Sequence, residues 1–111
     1  MTYINKHMAT TTYCYINHKA FDPAFLIARL TGGEVIINLR DLELVAIIDN
    51  ANPDEVFNII QSIDNNWWEV CDKSRVQVVR QSRSFSVGDV IQVSDEYLYC
   101  NTNGWSKISI R

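Results

Sequence analysis

Apolar positions recur every second residue over most of this chain and every three to four residues in two short stretches, and that contrast sets the expected elements. Ala9–Asn17 runs through Thr-Thr-Thr-Tyr-Cys-Tyr-Ile, β-branched and aromatic, which predicts a first strand. Asp22-Pro23 then opens a helix, with a side-chain cap before a residue that lacks the unneeded N–H. Phe25, Leu26, Ile27 and Leu30 are expected to fill one side of it, and Gly32–Gly33 to stop it. Glu34–Leu39 and Leu42–Asp49 are two β-branched runs separated by Arg40–Asp41, a spacing that suits a tight hairpin or one long, bent strand. Asn52-Pro53-Asp54-Glu55 is the clearest helix start, with Asn at the cap and Glu three residues on. Val56, Ile59, Ile60 and Ile63 follow at helical spacing.

The second half reads as strands. Trp67–Trp68 is taken as extended, so its two rings point to opposite sides. One enters the core, and the other is either covered or left as an anchor for a partner or a dimer mate. Lys73–Arg80 alternates with Val76 and Val78 on one face. Gly88–Val93 and Tyr97–Cys100 flank a turn at Ser94–Glu96, and Trp105–Ile110 closes the chain. Segregation of helices from strands predicts an α+β fold: a mainly antiparallel sheet or small open barrel with two helices. Residues 1–8 read as a loose leader and 9–111 as a single domain, which suits a length of 111 residues.

Composition narrows the function classes. No apolar run approaches the roughly 18–20 residues that span a bilayer, and no export signal is recognisable, so no membrane partner is expected. Cys14, Cys71 and Cys100 are odd in number and widely spaced, which suggests free thiols in a reducing cytoplasm. Cys14 and His18, with His7 upstream, lack a fourth metal ligand at regular spacing. Both histidines fall within the first 18 residues, away from Cys71 and Cys100, so no base is paired in sequence with a thiol nucleophile. Asp54–Glu55 suits a helix start and Asp95–Glu96 a turn, and Gly32–Gly33 lacks the Gly-Lys-Ser/Thr of a phosphate loop. No catalytic residue, metal or cofactor is assigned.

Charge adds two alternatives. The net charge is −3, and Asp41–Asp72 holds eight carboxylates without a Lys or Arg, whereas Lys73–Arg83 holds only cations. The two blocks either pair within the fold or leave an acidic surface for a basic partner. On the second view Asp54, Glu55, Asp64, Trp67, Trp68 and Glu69 bind a protein. Alternatively Arg75, Arg80, Arg83 and Phe85, with one Trp, form a platform that stacks and neutralises nucleic acid.

The C-terminal half supplies a resemblance. Ser62–Trp68, then Arg83-Ser84-Phe85-Ser86-Val87-Gly88-Asp89-Val90-Ile91, Tyr97–Cys100 and Asn103–Ile108 resemble small phage- and plasmid-encoded proteins of the YodL-like type. That resemblance implies mobile-element origin and action in the cytoplasm of an infected bacterium; it supplies no mechanism and no catalytic residue. Val-Gly-Asp entering a strand is also similar to PUA and ASCH domains, but no Glu-x-Arg-like strand stands at the matching distance. The residues themselves read Gly88 as a turn and Val87, Asp89, Ile91 and Val93 as one strand face, or else a bulge. The leading expectation is a small non-enzymatic accessory protein that binds and modulates a host or defence macromolecule through its acidic helix region and an exposed Trp; the alternative is a nucleic-acid-binding module.

Overall fold

A computed structural model describes residues 11–32, 34–61, 65–102 and 104–111; the expected leader and Asp64 lie outside them. The order is β1 (Thr11–Asn17), α1 (Pro23–Thr31), β2 (Ile36–Ile37), a 3-10 turn (Leu39–Asp41), β3 (Leu42–Asp49), α2 (Pro53–Ile60), α3 (Trp67–Val70), β4 (Val76–Val78), β5 (Val90–Val93), β6 (Glu96–Asn101), β7 (Gly104–Lys107) and β8 (Ser109–Ile110). Six strands form an antiparallel sheet in the order β4-β3-β1-β5-β6-β7, and β2 pairs with β8 in parallel. The fold is α+β, and the sheet is open rather than closed into a barrel.

Both faces of the large sheet are buried. On one, Cys14, Ile16, Val45, Ala46, Ile48 and Ile91 meet Val56 and Ile60 of α2, Trp67 of α3 and Phe85. On the other, Val90 and Tyr99 meet Phe25 of α1 together with Val35, Ile37 and Ile108. Two-sided cover explains why Val90 and Ile91 are adjacent yet both fully buried. Val87, Ile91 and Val93 share the α2 side, as alternation requires. β1 and β3 shift register at a bulge: Cys14 opposes Ala46 and Tyr15 opposes Leu44, so Val45 is the extra residue. The Val45 carbonyl accepts from the N–H of Val79 (2.9 Å) and Arg80 (3.2 Å), which ties the end of β4 to that bulge.

The α2 cap forms in full. Asn52 accepts from the Glu55 N–H at 2.8 Å and Glu55 accepts from the Asn52 N–H at 3.3 Å. Other expectations are corrected. Glu34–Leu39 and Leu42–Asp49 do not form a hairpin, because Arg40–Asp41 lacks the positive-φ residues a two-residue turn favours. The chain instead makes a 3-10 turn, with the Asp41 N–H on the Asn38 carbonyl, and β2 is free to pair with β8. Trp67–Trp68 is helical, a single turn closed by the Cys71 N–H on the Trp67 carbonyl, so the described residues hold three α-helices rather than the two expected. The last expected strand splits at Ile108 into β7 and β8.

The apolar residues of α1 also divide. Phe25 is buried, but Ile27 and Leu30 are 61% and 77% exposed. At 100° per residue, Ile27 lies about 200° and Leu30 about 140° around the helix from Phe25, so a core-facing Phe25 turns both outward.

Gly88 adopts φ +99°, and a Cβ there would stand 2.9 Å from the Ala20 Cβ. Gly32 is similarly left-handed at φ +75° but faces open space. Both Gly→Ala changes are expected to cost about 1–2 kcal/mol from backbone strain. Gly88→Ala is expected to cost more, by the Ala20 overlap. Urea unfolding of the two variants checks the order.

Candidate functional site

The Gly88-Asp89 step builds the most concentrated polar cluster in the described residues. The N–H of Gly88 donates to the Cys100 carbonyl, and the Cys100 N–H donates to the Asp89 carbonyl, both at 2.8 Å, so the segment enters the sheet already paired with β6. The Asp89 side chain is fully buried. Its Oδ2 accepts from Arg83 Nη1 at 2.6 Å and from the Ser86 N–H at 2.8 Å. Its Oδ1 accepts from Arg83 Nη2 at 2.8 Å and from the Asn17 N–H at 2.9 Å. Asn17 Nδ2 then donates to the Gly88 carbonyl at 2.9 Å, and Asn17 Oδ1 accepts from the Lys19 N–H at 2.8 Å. Four short, charge-assisted bonds replace the lost hydration of the carboxylate.

Arg83 is correspondingly committed. Its Nη1 also reaches the Ser84 carbonyl and Ser86 Oγ, and the bond to Asp89 pushes the guanidinium pKa above its ordinary value. The two-pronged bond to Asp89 already offsets the charge of this guanidinium, although the side chain is 42% exposed. Ser-Val-Gly-Asp is therefore a structural clasp that joins β1, β5 and β6.

The remaining arginines of the expected platform are also paired. Arg80 meets Glu43 at 3.0 Å, and Glu43 also meets His18 at 2.8 Å. Arg75 donates to the Asn50 carbonyl at 2.8 Å and stands 3.6 Å from Glu55. Phe85 is 2% exposed, tilted against Trp105 and edge-on to Phe57, so its ring is packed where no base reaches it. Trp67 is buried too. Its Nε1 donates to the Ser82 carbonyl and Oγ, so it anchors the 79–89 loop to α3 and is no surface anchor. Trp68 is half-buried against the same core.

Asp54, Glu55 and Glu69 are exposed on α2 and α3. Glu55 is spent on its cap and Arg75, and Glu69 accepts from Asn66 Nδ2 at 2.9 Å. Lys73 at the end of α3 donates to the Glu69 and Cys71 carbonyls. The Ser74 hydroxyl and N–H hold the Asp72 carboxyl below its usual range. Asp54 borders a cleft of about 420 Å³ with Phe57, Val87, Cys100, Asn101 and Trp105.

No family model, curated protein or solved structure matches this chain. Sequence reasoning missed both the Arg83–Asp89 clasp and the clefts, among them a second cleft of about 370 Å³ between α1 and β2. The signal for that second cleft was available: apolar residues at 25, 26, 27 and 30 spread too far around a helix to face one core.

Cys14 is sealed in the core and Cys100 nearly so. Burial pushes the Cys14 thiol from 9.0 up to about 12; burial and the nearby Asp89 charge push Cys100 from 9.0 up to about 11. Neither is poised for nucleophilic attack at neutral pH.

Two outcomes follow. Arg83→Ala strands a buried carboxylate and is expected to cost about 3 kcal/mol in urea unfolding, near the low end for a broken buried pair because the arginine is partly solvated. Arg83→Lys recovers only part of this, since an ammonium lacks the two-pronged geometry. For the thiols, the folded state prefers the protonated form, so stability is expected to fall as pH rises from 9.0, where unfolded thiols ionise, towards about 11 to 12. At neutral pH a chromogenic disulfide reagent is expected to label Cys71 alone in the native protein and all three cysteines in denaturant.

Proposed function

We propose that this chain is a non-enzymatic binding protein that presents the acidic outer face of α2 and α3 to a basic macromolecule. The observation that carries this reading is the division of the charges. Arg75, Arg80 and Arg83, the cations of the competing nucleic-acid platform, are each neutralised by Glu55, Glu43 and Asp89. Asp54 and Glu69, by contrast, are exposed and have no cation within ion-pair distance among the described residues. An acidic face raises the local concentration of a basic partner and speeds its association. Half-buried Trp68, on α3 beside Glu69, offers that partner an aromatic contact.

Among the described residues no three His, Cys, Asp or Glu side chains gather as a metal site would require. Also among them, no helix is long and apolar enough to cross a membrane. The likeness of the C-terminal half to small phage- and plasmid-encoded proteins supports a host or defence protein as the partner, met in the bacterial cytoplasm.

Immobilised full-length chain is expected to retain a stoichiometric bacterial protein from lysate. The Asp54→Lys, Glu69→Lys variant is expected to lose it while melting within a few degrees of the parent. Retention by both forms, or by neither, counts against the acidic face. Fluorescence anisotropy with DNA and RNA at low salt is expected to be flat; tight, steeply salt-dependent binding would favour the nucleic-acid reading instead.

A further inference from the structure

The second cleft lies on the opposite side of the large sheet from α2 and α3, against the core that holds Phe25 and Ile37. Its walls are Ala24, Phe25 and Ala28 of α1 and the five consecutive residues Glu34–Asn38 around β2. Alternate side chains of an extended segment point to opposite sides. Five in a row can line one cleft only if the backbone edge of the strand is exposed to it.

The hydrogen bonds agree. Pairing with β8 uses the Val35 and Ile37 carbonyls, which accept from Ser109 and Arg111, and the Leu39 N–H, which donates to the Arg111 carbonyl. In a parallel ladder the residues between these turn their polar groups the other way. The N–H and C=O of Ile36 and the N–H of Asn38 accordingly face away from β8 and have no hydrogen bond among the described residues. An edge in this state is a template for another strand.

Two further observations select the occupant. The cleft walls carry apolar Ala24, Phe25, Ala28 and Val35, and Ile36, one of the large apolar residues left exposed among the described residues, lines it too. The cleft itself is lined by three carboxylates, Asp22, Glu34 and Asp41, against one cation, Lys19. We propose that this cleft binds an extended segment of a partner protein that adds a strand to β2, with alternate apolar side chains and flanking Lys or Arg. The main-chain bonds would supply register, the small side chains of Ala24 and Ala28 the room, and the carboxylates the choice of a basic segment. This surface is independent of the acidic face of α2 and α3, and either stands if the other fails.

The test is fluorescence anisotropy of the full chain with a labelled peptide of alternating valine and lysine, beside its valine–glutamate counterpart and a backbone N-methylated version. The lysine peptide is expected to bind, and the other two to bind at least about tenfold more weakly, the loss of one or two hydrogen bonds or of the charge match. Ile36→Pro removes the outward N–H, a change that an edge strand tolerates, and is expected to weaken binding by a similar factor beyond the loss in an Ile36→Ala control, which keeps the N–H, while the far-UV spectrum is retained. If that variant does not fold, amide NMR of the parent decides: the largest peptide-induced shifts are expected at Ile36 and Asn38. Equal binding of the N-methylated peptide, shifts centred on α2 and α3, or no binding of the lysine peptide overturns the proposal. So does sedimentation showing that the free chain is a dimer through this edge, which would make a second copy the occupant.

Discussion

A carboxylate sealed from water persists in a fold only where several donors converge on it, and Asp89 has them from two separated parts of the chain. Arg83 and Ser86 donate from the loop before β5 and Asn17 from the end of β1, while the Asp89 main chain is paired with Cys100 of β6. None of these partners can move without leaving charge unpaired in the interior, which is far costlier than loss of a surface contact. The clasp therefore fixes where the 79–89 loop rejoins the sheet. That path in turn seats Phe85 in the core, with its N–H on the Ile60 carbonyl, and brings Ser82 to the buried Trp67 indole. A polar interaction thus organises the packing of two of the largest apolar side chains on that side.

The second constraint is that both sheet faces are covered. Once α2, α3 and the Phe85 loop fill one face and α1 with β2 and β8 the other, the outsides of those covering layers replace the sheet faces as the broad surfaces among the described residues. The two outsides differ in chemistry. On α2 and α3, carboxylates follow from helix capping, where Asp and Glu favour the N-terminal dipole. On α1 the only charged side chain, Arg29, reaches Asn101 at 3.1 Å, so the outer stripe of Pro23, Ala24, Ile27 and Leu30 is uncharged. One molecule then offers an electrostatic face and an apolar one with an unpaired strand edge.

Local signals carried much of the architecture. The Asn52–Glu55 box, Asp22-Pro23, the alternation through β1, β4 and β5, and the α+β class were all legible, because caps and periodicity depend on residues within one turn or one strand. The division of α1 was implicit in its spacing. What failed were assignments that need a partner far along the chain. β2 was read with its sequence neighbour β3 when its real mate is β8, more than seventy residues away, and Trp67–Trp68 was read as strand because aromatic residues favour sheets on average.

The sequence by itself determined the secondary-structure class, the two capped helices and the acidic bias, all set by short-range chemistry and simple charge counting. Only the tertiary structure decided what each charge and ring is for. Arg83 looked free until Asp89 was seen to hold it, and Trp67 and Phe85 looked available until the same loop carried them inward. The open edge of β2 likewise exists only because β8 takes its other side. Pairing between distant segments consumes or exposes groups whose local sequence is indifferent to the outcome, and the fate of those groups sets which charges, rings and strand edges are left at the surface.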